Sequence, residues 1–197
     1  GLIVDTNLRF GEHVARNIQR AYAALRLLYP HKNCLSIHIK KMLCESLVLS
    51  QFTYCSAVYG PSIDKDTENR IQRVQNACIR FIFGLRKYDH VSHKLKDLKW
   101  FCMAKRFKVN ALCLFHKILV YKNPPYLYNK ISFRTDVHNI NIRNRHFITA
   151  PPHRSALFER GFKFNIYILY NALSPKLKNH DLYKFKKVLI EHFLTDS

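Results

Sequence analysis

The side chains best suited to chemistry are scarce and scattered in this sequence. Polymerases, nucleases and metal hydrolases gather several carboxylates around one or two divalent ions. Here there are only 13 acidic residues in 197, with no Asp-Asp pair and a lone Asp-x-Asp, Asp64-Lys65-Asp66. That pair reads as the negatively charged opening of a helix rather than as a metal site. His138-Asn139 and His146 invite comparison with His-Asn-His nucleases, but those enzymes need a compact ββα frame and a metal-binding cluster, only Asp136 lies nearby, and a polar loop is the better reading. His31, Cys34, His38 and Cys44 make a zinc set only on paper, because Cys44 falls within an apolar helical run and reads as core. No short-range base marks a Ser or Cys nucleophile, and the five glycines fit no phosphate-cradling spacing. The sequence therefore predicts no catalytic residue, no metal site and no cofactor in this chain.

The cations carry more. Thirty-three Lys and Arg give a formal net charge of +20 and a pI near 9.9. The bias is local: from Asn69 to Arg134 there are 15 Lys or Arg against only Asp89 and Asp97, a net of +13. A fold gains nothing from such self-repulsion, so an anionic partner is expected, and nucleic acid fits best. A solvated cationic surface and a patch for acidic lipid are the alternatives. Arg73, Asn76 and Arg80 stand at i, i+3 and i+7, so on a helix they form one polar ridge whose turns rise about 5 Å each and can meet successive phosphates. Arg16 and Arg20, then Lys105, Arg106 and Lys108, are the other candidate nucleic-acid-binding residues.

These residues need helices to hold them, and the hydrophobic spacing supplies them. Leu2 to Val4 reads as a short strand. A first helix begins near Gly11, with Val14, Ile18, Tyr22, Leu25 and Tyr29 at helical spacing, and ends at Pro30. Ser36 is a candidate N-cap for a second, with Ile39, Leu43 and Leu47 on one face and Lys40 and Lys41 off it. Periodicity leaves open whether Phe52 to Tyr59 continues that helix or is extended. Asp64 to Phe83 is the clearest helix, acidic at its start, buried through Ile71, Val74, Cys78, Phe81 and Ile82, and followed by Gly84 as its left-handed cap. A short helix over Ser92–Leu98 precedes a long one from Met103 to about Tyr121, packing inward through Phe107, Ala111, Leu114, Phe115, Ile118 and Leu119. Residues 129 to 154 read as a long loop with a strand at His146 to Thr149. The aromatic run Phe162 to Leu173 stops at Ser174-Pro175, and a final helix spans about Leu182 to Leu194.

The fold class expected is mainly α: a basic helical bundle over 1–122 with a short N-terminal strand, then an irregular, partly extended, loop-rich part over 123–197 that ends in a helix. Hydrophobic residues at 48% are enough for a real core. Six cysteines without a C-x-x-C pair, and no signal peptide, point to a reducing, intracellular setting. No apolar stretch approaches the ~18 residues a membrane span needs. The opening Gly1-Leu2-Ile3-Val4, with no initiator Met, reads as the inside of a larger polypeptide.

Several segments, in order, resemble the region downstream of the palm in non-LTR retrotransposon reverse transcriptases, LINE-like and notably jockey-like. Gly1 to Phe10 with Glu12-His13 resembles "LGV-x-x-D-x-x-L-x-F-x-x-H". Ser46 to Cys55 resembles "SLVLPHFDYC", with Val58-Tyr59-Gly60 where "VWG" is usual. Asn69 to Asn76 and Phe81 to Gly84 are similar to "RLQRVQNRAARIILG". Leu114 to Leu119 and Pro124 to Leu127 are similar to "LFYKIL…PPYL", and Phe162 to Pro175 to "FSYRGAKLWNSLP". The resemblance implies a parent RNA-directed DNA polymerase, of which this chain supplies the thumb and a C-terminal extension. The implied partners are a template–primer duplex and the palm and fingers of that polymerase. The tyrosine-x-Asp-Asp motif is absent, so the family's catalytic residues have no positions here. The alternative is a degenerate or repurposed remnant acting in protein interaction, which exposed aromatics in Phe162 to Tyr170 without nearby basic residues would favour.

Overall fold

The computed structural model describes residues 1–137 and 147–195. It is mainly helical, and among the described residues the only β pairing is an isolated bridge between Phe133 and Ile148. The helices are α1 (Gly11–Leu28), α2 (Ile37–Leu43), α3 (Ser56–Tyr59), α4 (Lys65–Phe83), α5 (Ser92–Asp97) and α6 (Met103–Tyr121). They continue with α7 (Pro125–Tyr128), α8 (Arg134–Val137), α9 (Ala156–Arg160), α10 (Phe162–Ala172), α11 (Pro175–Lys178) and α12 (Leu182–Thr195).

The chain's own chemistry sets the ends of α4. Asp64 accepts a hydrogen bond from the Thr67 N–H at 2.7 Å, which satisfies an orphan donor of the first turn and holds the Asp64 carboxyl below its usual range. At the other end Gly84 takes φ 70, and the Leu85 N–H closes back on the Arg80 carbonyl at 3.0 Å. After α2 the helical path goes on through a π turn at Cys44–Val48 and a 3-10 turn at Leu49–Phe52, then reverses at Cys55, whose φ is 52. That settles the open reading of Phe52 to Tyr59: it is not extended.

Two expectations fail here. Leu2 to Val4 is not a strand, because among the described residues no second strand lies beside it to complete its hydrogen bonds. Instead Leu2 packs on the core, and the Ile3 N–H donates to His13 Nδ1 at 3.4 Å. Along α2 and the π turn that continues it, the inward stripe is displaced by one residue from the expected one. Cys44 and Val48 are buried and the Lys40 ammonium lies 5.9 Å over the Phe81 ring, whereas Ile39 and Leu47 face outward. A lysine stem can cover apolar surface as a leucine does, so periodicity alone did not choose between adjacent stripes.

Two hydrophobic clusters make up the interior. The first joins α1, the turns that follow α2, Tyr59 of α3, α4, and the start of α6 through Met103 and Phe107. The second joins the rest of α6, from Val109 onward, to α10 and α12. The clusters thus meet inside α6. Helix α3 packs on this junction. A Cβ placed on Gly60 would lie 2.5 Å from the Ser56 carbonyl oxygen and 3.1 Å from Phe107 Cβ. Gly60→Ala should therefore destabilise the chain by about 1–3 kcal/mol, read as a lower urea midpoint at unchanged slope.

The C-terminal part is more regular than the sequence suggested. The aromatic run is helical over Phe162–Ala172 and turns extended at Leu173, with Ile166, Tyr167 and Tyr170 buried. Leu114, expected inside, is exposed, and Leu112 and His116 take inward places on α6 instead. Of the expected strand at His146 to Thr149, His146 lies outside the described residues, and within 147–149 only Ile148 forms a β bridge; its N–H and carbonyl are both satisfied at 2.9 Å by the Asn171 side-chain amide, so one amide does the work of a neighbouring strand.

His116 sits at the centre of the second cluster. Its ring stacks on Phe185 at 3.9 Å, Nε2 is 2.9 Å from the His180 carbonyl and Nδ1 is 3.2 Å from the Tyr170 hydroxyl. A carbonyl only accepts, so Nε2–H donates to it and Nδ1 accepts from Tyr170, whose hydroxyl burial pushes up to about 12. The buried imidazole is thus native in its neutral form. Burial lowers its pKa, against the opposing His180 hydrogen bond and Asp181 charge. Stability is full above the ordinary histidine pKa of about 6.5. It falls as pH drops below that value, because the unfolded chain binds a proton that the folded chain resists. Thermal melts should show a lower midpoint at pH 5 than at pH 7, and His116→Gln should reduce that drop.

Candidate nucleic-acid interface

Helices α1 and α4 pack side by side, with the Tyr29 and Phe81 rings 5.4 Å apart near one end of the seam. On the outer edge of this seam lies Tyr22, 41% exposed. Partial burial raises the Tyr22 pKa, reinforced by the Cys78 thiol, while the positive charges of Arg73 and Arg80 pull it down. Both arginines therefore stand close to one tyrosine, and the ridge read from sequence borders the α1–α4 seam. Arg73 is exposed, and Arg80 is half-buried with Nη2 3.4 Å from the Asp89 carbonyl. Arg80 Nε is buried with no acceptor among the described residues, a kind of donor that folded proteins rarely leave unsatisfied. Asn76 is half-buried and accepts from Gln72 Nε2 at 3.0 Å, which leaves its own amide N–H groups for a ligand.

The other candidates divide. Arg16 and Arg20 are exposed on the outward side of α1, two positions removed from buried Val14 and Ile18, so they form a strip of their own. Lys108 is exposed on α6. Among the described residues, Arg16, Arg20, Arg73 and Lys108 have neither an ion pair nor a hydrogen bond through the side chain. Lys105 and Arg106 turn inward. Lys105 Nζ is 3.4 Å from the Phe193 carbonyl on α12. Arg106 lines a cavity of about 170 Å3 with Glu45, Gln75 and Trp100, and burial lowers its pKa against the Glu45 charge. Glu45 also takes the Trp100 indole N–H at 2.6 Å. These two cations brace the start of α6 against its neighbours.

Sequence reading missed a second concentration of positive charge, at the C-terminal end of α4. Lys94 Nζ lies 4.9 Å over the Phe83 ring, and a Cβ on Gly84 would be 3.6 Å from Lys32 Cε. Arg86 and Lys87 follow in the next loop, beside Tyr88. The run Arg86-Lys87-Tyr88 directly after the Gly84 cap was the available signal.

Among the described residues no group of three or more His, Cys, Asp or Glu is placed to hold a metal ion, and no helix is long and apolar enough to cross a membrane. Cys44 and Cys78 are both buried, with the Cys78 thiol raised by its hydrogen bond to Cys44 and by burial. His138, Asn139 and His146 lie outside the described residues. The aromatics of Phe162 to Tyr170 do not form an exposed surface: Tyr167 and Tyr170 belong to the second core. No family model matches the chain, and neither a curated protein nor a solved structure does.

Proposed function

We propose that this chain is the thumb and C-terminal portion of a non-LTR retrotransposon reverse transcriptase, and that it grips a nucleic-acid duplex without carrying the polymerase's catalytic centre. One observation carries the reading: Arg73 and Arg80, on one ridge of α4, both act electrostatically on Tyr22 of α1, in a chain with a net charge of +20. Two cations at this spacing on a packed helix pair can meet phosphates of a backbone that passes over the seam. Binding of this kind reads charge and shape, so it depends on salt and little on sequence. Arg16, Arg20 and Lys108 widen the basic surface. Lys105 and Arg106 hold the start of α6 in place for it.

The ordered motif resemblance supplies the parent activity, RNA-directed DNA polymerisation, with catalytic carboxylates contributed by a palm outside this chain. The setting is intracellular, in cytoplasm or nucleus, where the free thiols stay reduced. The outward apolar side chains of α2 and the turn after it, among them Ile37, Met42 and Leu47, are the surface offered to the palm and fingers. The same strip supports a second reading, a repurposed protein-interaction module. A filter-binding titration at low salt against RNA–DNA hybrid and DNA duplexes of unrelated sequence separates the two. Similar, salt-sensitive binding to all of them is expected, and absence of affinity at low salt would defeat the first reading.

A further inference from the structure

The loop after α4 holds an aromatic ring out in solvent amid positive charge. Tyr88 is 86% exposed. The loop that carries it is closed at three points. Gly84 turns the chain with Leu85 N–H bonded to the Arg80 carbonyl at 3.0 Å, the Arg86 N–H donates to Asp89 Oδ2 at 2.7 Å, and Arg80 Nη2 reaches the Asp89 carbonyl at 3.4 Å. The Lys87 ammonium lies 5.4 Å over the Tyr88 ring. One or two cations here would complement the negative end of the α4 dipole. Arg80, Arg86, Lys87, Lys32 and Lys94 together exceed that need, and the nearby acids are engaged: Asp89 in the loop's own hydrogen bonds and Asp97 with Lys94 at 2.9 Å.

We infer that Tyr88 is a stacking platform for an unpaired nucleotide at the end of the bound nucleic acid, with the surrounding cations holding its phosphates. This rests on the nucleic-acid reading above and extends it from the duplex to its single-stranded continuation. A ring projecting from a loop can stack only on an exposed base face. The interior of a duplex offers none, whereas a frayed end or an overhang does, and any base will serve because each has a π face. Membrane insertion is the poorer fit, since Tyr88 is flanked by Lys87, Asp89 and His90 with no second apolar side chain beside it.

The test compares a blunt RNA–DNA hybrid with the same hybrid bearing a four-nucleotide single-stranded overhang whose first unpaired base is 2-aminopurine. The wild-type chain should prefer the overhang about tenfold and quench the 2-aminopurine fluorescence on binding. Tyr88→Ala should abolish both effects and leave the blunt-hybrid affinity unchanged, while Tyr88→Phe should keep both. An overhang preference that survives in Tyr88→Ala, or no preference in the wild type, overturns the inference while the duplex reading stands. Absence of binding to the blunt hybrid removes both. Tyr88-dependent binding to phosphatidylserine vesicles, without an overhang preference, also overturns it.

Discussion

Arg73→Glu together with Arg80→Glu should lower the affinity for a nucleic-acid duplex about 100-fold at 50 mM salt. Each cation–phosphate contact contributes roughly 0.9 to the slope of log affinity against log salt, so at 50 mM two lost contacts amount to about two decades. The slope should become shallower by about two units, and the loss should be similar for duplexes of different sequence, because the contacts read the backbone. The double variant must remain folded for this to bear on binding. Arg73 is exposed and its reversal costs the fold little, whereas Arg80 is half-buried and bonds the Asp89 carbonyl. Arg73→Glu with Arg80→Gln is therefore the companion variant, which loses the charge and keeps a side-chain donor. Unchanged affinity and slope in both variants, with thermal melts showing them folded, would take the ridge out of the interface.

Phe185→Ala should cost about 3–5 kcal/mol of stability, the largest single loss proposed for the second core. Phe185 has no exposed surface and lies on the face of His116 at 3.9 Å with the planes 10° apart. Truncation leaves a void against a polar ring whose two nitrogens are already committed to Tyr170 and His180. Water entering that void would solvate the imidazolium, so the variant should also lose part of the acid sensitivity assigned to His116. A urea titration at pH 7 gives the magnitude, and a loss below 1 kcal/mol would mean that α12 does not seat on α6 as described.

Much of this was legible because the long helices carry their own punctuation. Asp64 and Gly84 mark the ends of α4, the helix expected from Met103 to about Tyr121 is α6, and α12 announced itself through Phe185 and Leu189. What stayed hidden has physical causes. The buried stripe of α2 is one residue from the one chosen, because the stem of Lys40 substitutes for an apolar side chain over Phe81. Lys105 and Arg106 looked like surface cations since helical periodicity shows nothing of α12, 88 residues further along, whose Phe193 carbonyl meets Lys105. The ridge Arg73–Asn76–Arg80 was visible as a spacing, but its neighbour Tyr22 was not. A contact between α1 and α4 is decided by packing across some 50 residues, and no local pattern records it. The strand at Leu2 to Val4 failed for the opposite reason: its composition was right, yet composition cannot provide a partner strand.

The proposed path of the duplex lies over the α1–α4 seam. Arginine footprinting tests it most directly: phenylglyoxal modification with and without a saturating RNA–DNA hybrid, read residue by residue by mass spectrometry. Arg73 and Arg80 should be protected strongly by the hybrid and Arg16 and Arg20 in part, while the exposed Arg154 and Arg160 of the C-terminal part react as before. Protection of Arg154 and Arg160 with Arg73 and Arg80 left reactive would contradict the account.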